Sequence, residues 1–456
     1  MTHRHSARPD RAPPDGSPIL PGAQPIPLIP RFPGPPLGPK EREIFRDYTL
    51  TSAFQPIFGL AHRGVVGHEA LLRVHDRNGR PVSPLDFFAL AQNPTASLFA
   101  DWLTRCLHLR SFVHRDHHEN GWIFLNFLPH ATRTGQSNHF SFTEELLRLH
   151  QLPPNRVVVE ILEKNIEDES RILEAVAHYR ALGCLIAVDD FGAGQSNFDR
   201  IWKLKADIVK LDRSLVVQAA QDSQARDFLS SVSTMLHQAG KLVLLEGVET
   251  EEQTLIAMDA DVDFVQGFHL ARPNAELTPA RAAAPLLREL SERLLARERL
   301  ESDRQTQELN ERMKAFLALF KGRRGRNHTD RSDAKLFKKH LQNQNVRRCF
   351  VLNEQGIQIG ANLEGSDQAY PLKEQFSPLS DAQGADWSRR DYFRRAMRHF
   401  GQVQVTGPYF SLPDAHPCVT LSVALRRKDH KIRVYCCDLL WNPAPRPEIL
   451  PQSRRS

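Results

Sequence analysis

The sequence predicts an α/β fold: a TIM-like (β/α)8 barrel, then a linker helix, then a smaller α+β domain. Three observations carry the barrel. Six apolar runs each end on an acidic or amide side chain: 122-WIFLN-126, 156-RVVVE-160, 185-LIAVDD-190, 207-DIVKLD-212, 241-KLVLLE-246 and 263-DFVQ-266. Upstream, 67-GHEALLR-73 supplies a seventh acidic strand. Strand-like and helix-like segments alternate from about 41 to 275, which implies parallel strands with covering helices. A span of roughly 230 residues with one shared polar rim suits a closed barrel better than an open sheet.

Residues 1–40 hold about a dozen prolines and form no packed element, so they read as a disordered tail. The barrel occupies 41–278. Within it, the strand 156–160 precedes a helix near 167–182, and 185–189 is again a strand. The strand 207–211 leads into 223-SQARDFLSSVSTMLHQAG-240, whose apolar positions recur at helical spacing and which ends on Gly240. The strand 241–245, a short helix over 249–260 and the strand 263–266 complete the run.

Residues 279–328 form the linker. Its segment 285–320 is rich in Leu, Glu and Arg without glycine or internal proline, which reads as one long or briefly interrupted amphipathic helix. Two readings remain open, a dimer-forming coiled coil and a helix packed along the barrel. The third region, 329–442, has strand-like runs at 349–353, 418–425 and 432–440, with a helix around 387–400. A small antiparallel sheet flanked by helices follows. The tail 443–456 is proline-rich and loose.

The bulk properties narrow the function classes. Over 456 residues the net charge is +6 and the basic excess is local, so nucleic acid is not the first inference. A basic balance does help attract an anionic phosphate ligand. The six cysteines show no CxxC pair and no zinc spacing, which points to reduced thiols in a cytoplasmic protein. No apolar stretch is long enough for a membrane span, and the N-terminus lacks the apolar core of a signal peptide.

In parallel barrels the chemistry sits at the C-terminal strand ends. There the candidates are Glu69, Asn126, Glu160, Asp189, Asp190, Lys210, Glu246 and Gln266. Oxygen donors in such number suit Mg2+ or Mn2+, because neither histidine nor cysteine shares the pattern. Adjacent aspartates can serve two ions, as in sites that activate water against a phosphoryl group. One acid after an apolar strand is ordinarily a helix cap, and Asp199 and Asp212 read that way. Seven or eight at corresponding ends would repel one another strongly without cations.

The same residues resemble a known family. The segments 54-FQPIF-58 and 67-GHEALLR-73 are similar to the start of an EAL-type cyclic di-GMP phosphodiesterase domain, named for the triplet Glu69-Ala70-Leu71. The likeness continues through 125-LN-126, 160-EILE-163, 189-DDFGAGQS-196, 210-KLDRS-214, 246-EGVET-250, 266-QGF-268 and 271-ARP-273. It covers roughly residues 42–275. The resemblance implies that Glu69, Asn126, Glu160, Asp189, Asp190 and Glu246 hold two Mg2+ or Mn2+ ions, directly or through water. It implies that Lys210 positions the attacking water, although a structural counter-ion to the acids is the alternative. Gln266 helps hold that water, Arg73 contacts a substrate phosphate, Gln55 lies at the substrate edge, and Glu249 anchors the loop after the paired aspartates. Ala193, Gln195 and Asn197 depart from the family's commoner Thr, Tyr and Ser, which puts regulation in more doubt than chemistry.

The C-terminal strings 386-DWSRRDYFRRAM-397, 407-GPYFS-411 and 417-PCVTLSVAL-425 resemble PAS-like Cache sensory domains. In that family a W-x-x-R-x-Y pattern lines a small-ligand pocket, here Trp387, Arg390 and Tyr392. Core packing is the plainer reading of such aromatics. The implied function is hydrolysis of cyclic di-GMP to linear pGpG by a homodimer under control of that domain. The alternatives are a silent cyclic di-GMP receptor and a hydrolase of another phosphoester.

Overall fold

The computed structural model describes residues 42–89, 94–116, 121–127, 138–162, 169–194, 198–320, 337–338, 340–342, 346–364, 382–411, 416–427 and 429–440. The two proline-rich tails and the substituted loop positions Gln195 and Asn197 lie outside them.

Antiparallel pairs open the fold. Strand β1 (Arg42–Phe45) turns into β2 (Tyr48–Gly59), which turns back into β3 (Gly64–His75), flanked by the edge strand β4 (Pro81–Val82). Helices α1 (Pro84–Ala89) and α2 (Pro94–Arg115) follow. The chain then alternates through β5 (Trp122–Phe127), α3 (Asn138–Leu149), β6 (Val157–Leu162), α4 (Glu169–Leu182), β7 (Leu185–Phe191) and α5 (Phe198–Leu204). Next come β8 (Ile208–Leu211), α6 (Arg213–Gln221), α7 (Ser223–Gln238), β9 (Leu242–Leu245), α8 (Glu251–Asp259) and β10 (Phe264–Val265). Gly240 adopts the left-handed φ of 71° just past α7, where glycine carries no Cβ penalty. Thr250 starts α8 with a reciprocal capping box to Gln253.

Strands β3, β5, β6, β7, β8, β9 and β10 pair in parallel in that order. Strand β2 closes the ring, antiparallel to both β3 and β10. The eight-stranded barrel expected from the sequence is therefore present, with one correction: it is not parallel throughout. The four residues 60–63 join β2 to β3, enough for a hairpin and far too few for the crossover a parallel pair needs.

The alternating pleat of the strands sets the interior. Ile57, Phe124, Val158, Ala187, Ile208, Leu244 and Phe264 fill one buried layer inside the barrel. One inward position further toward the mouth, the same strands present Gln55, Asn126, Glu160, Asp189, Lys210, Glu246 and Gln266. Glu69 joins them from β3, directly opposite Gln55 in the hairpin register. The outward residues of these strands pack under the helices in the main core.

Helix α9 (Ala284–Ala318) runs without interruption for 35 residues. Ala283, just before the helix, and Leu287 in its first turn sit in the barrel core, and Arg293 reaches Glu251 of α8 at 2.6 Å. Its middle leaves Leu295 and Leu300 exposed, and its last turns place Phe316 in a second core. Thus the helix packs on the barrel at one end only.

The second core belongs to a five-stranded antiparallel sheet of β11 (Val346–Leu352), β12 (Gln358–Glu364), β13 (Gln404–Ser411), β14 (His416–Arg426) and β15 (Ile432–Leu440), in the order β12-β11-β15-β14-β13. One face meets the end of α9 through Phe316, Cys349, Leu421 and Cys437. The other is covered by α10 (Asp391–Arg398) through Tyr392, Phe393 and Ala396. Among the described residues no helix is long and apolar enough to cross a membrane.

Candidate metal centre at the barrel mouth

Lys210 is the hub of the polar layer. Its ammonium lies 2.6 Å from Glu160 Oε1, 2.6 Å from Glu246 Oε1, 2.9 Å from Asp189 Oδ1 and 3.7 Å from Glu69 Oε2. The side chain is 1% exposed, so these contacts form out of water. Burial opposes its charge, yet Asp189, Glu160, Glu246 and Glu69 together hold its pKa well above the ordinary range. Lys210 is thus charged in the metal-free chain and answers acids from four strands.

One ammonium does not balance that set. Glu69, Glu160, Asp189, Asp190 and Glu246 all stand in the mouth, and two like charges 4 Å apart repel by about 4 kcal/mol at an effective dielectric near 20. Burial first, and Glu69 second, push Glu160 well above the usual carboxylate range. Burial likewise raises Glu246 to about 8, with Lys210 opposing the shift. A site that drives its own carboxylates to take protons would equally take cations.

The donor geometry agrees. Asp189, Asp190 and Glu246 each offer an oxygen, and the three oxygens lie within 4.8 Å of one another. Asp190 follows Asp189 with a left-handed φ of 58°, and its amide donates to Asp189 Oδ1 at 3.0 Å. That turn lets two consecutive residues of one strand face the same site. Glu160 Oε1 meets Lys210, but among the described residues Glu160 Oε2 and Gln266 Oε1 are buried without a hydrogen-bond partner. Such unanswered buried acceptors, all of them oxygen, fit Mg2+, Mn2+ or Ca2+.

The other expected residues fall into groups. Glu69 is gripped by Gln266 Nε2 at 2.8 Å and by Asn126 Nδ2 at 3.3 Å, so these three act as one cluster. Gln55 is half-buried beside Glu69, while Arg73 stands four residues further along the same face of β3, beyond the acids. Glu249 is exposed and pairs with Arg213 at 2.7 Å, a partner the sequence did not reveal. Asp212 caps α6 by accepting from Ser214 N at 2.9 Å, as expected of a structural acid. Sequence reasoning also missed why Gly267 follows Gln266: a Cβ there would stand 2.0 Å from Val248 O, so only glycine lets the two segments close around the mouth.

In the C-terminal domain Trp387, Arg390 and Tyr392 do meet around Tyr409. The Arg390 guanidinium lies 5.9 Å from the Trp387 ring and 5.7 Å from that of Tyr409, and Tyr392 stands 6.0 Å from Tyr409. Tyr392 is buried in the core under α10, while Trp387 donates to Gln358 Oε1 at 3.0 Å. Asp438 was missed in the sequence; it is fully buried and accepts from Arg348, Tyr409 and Thr420 at 2.8, 3.0 and 2.7 Å. An aspartate inside the apolar run 432-IRVYCCDLL-440 was the available signal.

Comparison with known proteins follows the same division. The cyclic di-GMP phosphodiesterase PdeF of Escherichia coli is 28% identical over 240 residues, covering 50% of this chain and 31% of its own. The cyclic di-GMP phosphodiesterase RocR of Pseudomonas aeruginosa is 29% identical over 226 residues, covering 49% of this chain and 57% of its own. The chain therefore spans less than two thirds of either relative. The Bacillus subtilis YkuI protein, solved with an EAL domain in complex with substrate c-di-GMP and calcium, superposes with a TM-score of 0.71 at 22% identity. That likeness covers 86% of this chain and 96% of YkuI, so the shared fold extends past the barrel. The EAL domain family matches residues 41–273, just over half of the sequence, and the chain belongs to it.

Proposed function

We propose that the barrel hydrolyses one of the two equivalent phosphodiester bonds of cyclic di-GMP, giving linear pGpG, with two Mg2+ or Mn2+ ions. The observation that carries this reading is the convergence of four carboxylates on one lysine, with Asp189, Asp190 and Glu246 oxygens within 4.8 Å of one another. Family membership and the names of the two curated relatives support the substrate.

Asp189, Asp190 and Glu246 would hold the ions, with Glu69, Asn126 and Glu160 completing the oxygen shell. Bound divalent ions supply Lewis acidity, which polarises a phosphoryl oxygen and acidifies water. Lys210 keeps the acids in register and offers its N–H groups to the attacking water. Gln266 spends its amide N–H on Glu69 and leaves Oε1 to accept from that water. Arg73, beyond the acids, suits a substrate phosphate through its planar fork, and Gln55 borders the same space. Glu249 acts through Arg213, outside the reacting atoms.

The five-stranded antiparallel sheet with a helix on each face supports a PAS-like sensory reading of the C-terminal domain, with the Trp387–Arg390–Tyr392 cluster as its small-ligand site. The exposed middle of α9 supports a homodimer, and the whole would work in the cytoplasm. The test is chromatography of cyclic di-GMP incubated with the full chain and Mg2+ or Mn2+. Appearance of pGpG supports the enzyme. Binding without turnover would make the chain a receptor.

A further inference from the structure

Between β10 and α9 the chain does not leave the barrel directly. Residues 274–280 cross the outer face of the β2–β3 hairpin, behind Gln55 and Glu69. Asn274 and Phe54 exchange backbone hydrogen bonds at 3.0 and 2.7 Å, and Val65 N donates to Ala280 O at 2.8 Å. Ala280 O comes so close that a Cβ on Gly64 would stand 2.7 Å from it. Between those two stitches the contact to β3 is a side chain: His68 Nε2 accepts from Thr278 N at 3.0 Å. His68 is 6% exposed. A ring nitrogen that accepts from a backbone N–H carries no proton, so its partner nitrogen holds the tautomer's hydrogen. On one side the strap continues through Ala283 into α9, whose Leu287 sits with Ala283 in the barrel core and whose Phe316 sits in the C-terminal core. On the other side the residue next to His68 is Glu69, which points inward to Gln266 and Asn126.

We propose that His68 is a positioning residue: it fastens the strap 274–280 to the strand that carries Glu69, so that movement of α9 by the C-terminal domain is delivered to the metal site. The proposal rests on the phosphodiesterase reading and adds to it a route of control. The alternation of β3 makes the route short, because His68 and Glu69 are adjacent residues on opposite faces. An outward anchor and an inward ligand cannot shift independently when one peptide bond joins them. Thr278 is only half-buried, so without His68 its N–H must turn to water, which loosens the strap from β3.

The test compares two full-length variants. His68→Phe keeps a ring of similar size and removes the acceptor, whereas His68→Gln retains an acceptor oxygen. Hydrogen exchange of the metal-free chain reports the strap and β3 directly, and free Mn2+ measured by electron paramagnetic resonance reports the site without substrate. In His68→Phe, exchange should quicken both in 274–280 and in the peptide around Glu69, and Mn2+ affinity should fall about tenfold, as for other partners that orient metal ligands. His68→Gln should recover most of both. Unchanged exchange in His68→Phe, or faster exchange with unchanged Mn2+ affinity, overturns the proposal. A wild-type chain that takes up no Mn2+ overturns the phosphodiesterase reading, and the positioning role with it.

Discussion

At the N-terminal rim of the barrel, each acid has its own answer. Asp207 accepts from Ile186 N at 2.9 Å and pairs with Arg180 at 3.2 Å. Asp263 accepts from Val243 N at 2.7 Å and meets His237 at 2.9 Å. Asp116 pairs with Arg156, which also donates to Gly121 O at 2.9 Å. At the C-terminal rim, Glu69, Glu160, Asp189 and Glu246 share the single ammonium of Lys210. Both rims are acidic at the ends of apolar strands. The difference lies in whether each charge is matched locally, and the unmatched rim is the one built to receive something.

Substitutions at the two rims should differ in size of effect. The largest effect belongs to Glu69→Ala, which should lower pGpG production beyond the ~10–100-fold typical of residues that merely orient a ligand. Full activity by chromatography would show the ligand assignment to be wrong. Lys210→Met removes the ammonium that Glu69, Glu160, Asp189 and Glu246 share. Its metal-free form should lose about 3–5 kcal/mol in urea unfolding, and Mn2+ should restore part of that loss. An equal loss with and without Mn2+ would mean that cations do not take over the balancing of these acids.

The upper rim should also respond to pH. Burial raises Glu246 to about 8 in the metal-free chain, so below that pH it holds a proton that a cation must displace. Mn2+ affinity should therefore strengthen as pH rises, by up to about tenfold per unit for one displaced proton, and level off near pH 8. Isothermal titration at several pH values, in buffers of different ionisation enthalpy, would detect that proton. The smallest effect is at the lower rim. Asp263→Ala should cost about 1 kcal/mol of stability, through the lost acceptor for Val243 N, and leave Mn2+ affinity unchanged.

Much of the barrel and its mouth was legible because both depend on period-two alternation. Phe124 and Asn126, Val158 and Glu160, Ala187 and Asp189, Ile208 and Lys210 each sit two residues apart, so a buried apolar residue forecasts a polar one on the same face. That rule would put Asp212 on the face of Lys210; Asp212 caps α6 instead because β8 ends at Leu211. Strand direction was not legible, since alternation is the same forwards and backwards; the antiparallel β2 follows from a short turn instead. The C-terminal strands β12 and β13 escaped notice because QIGANLE and QVTGPYFS are polar and largely half-buried. Partners remote in sequence, such as Arg213 with Glu249 or Arg348 with Asp438, leave no local pattern at all.

If the acids of the upper rim are gathered to hold divalent cations, crystals of the full chain equilibrated with Mn2+ and measured at the manganese absorption edge will show it. Anomalous peaks among Asp189, Asp190, Glu246 and their neighbours, with none beside Asp207 or Asp263, are the expected result. No peak at the mouth, with Lys210 still spanning Glu160 and Glu246 at saturating Mn2+, would contradict it.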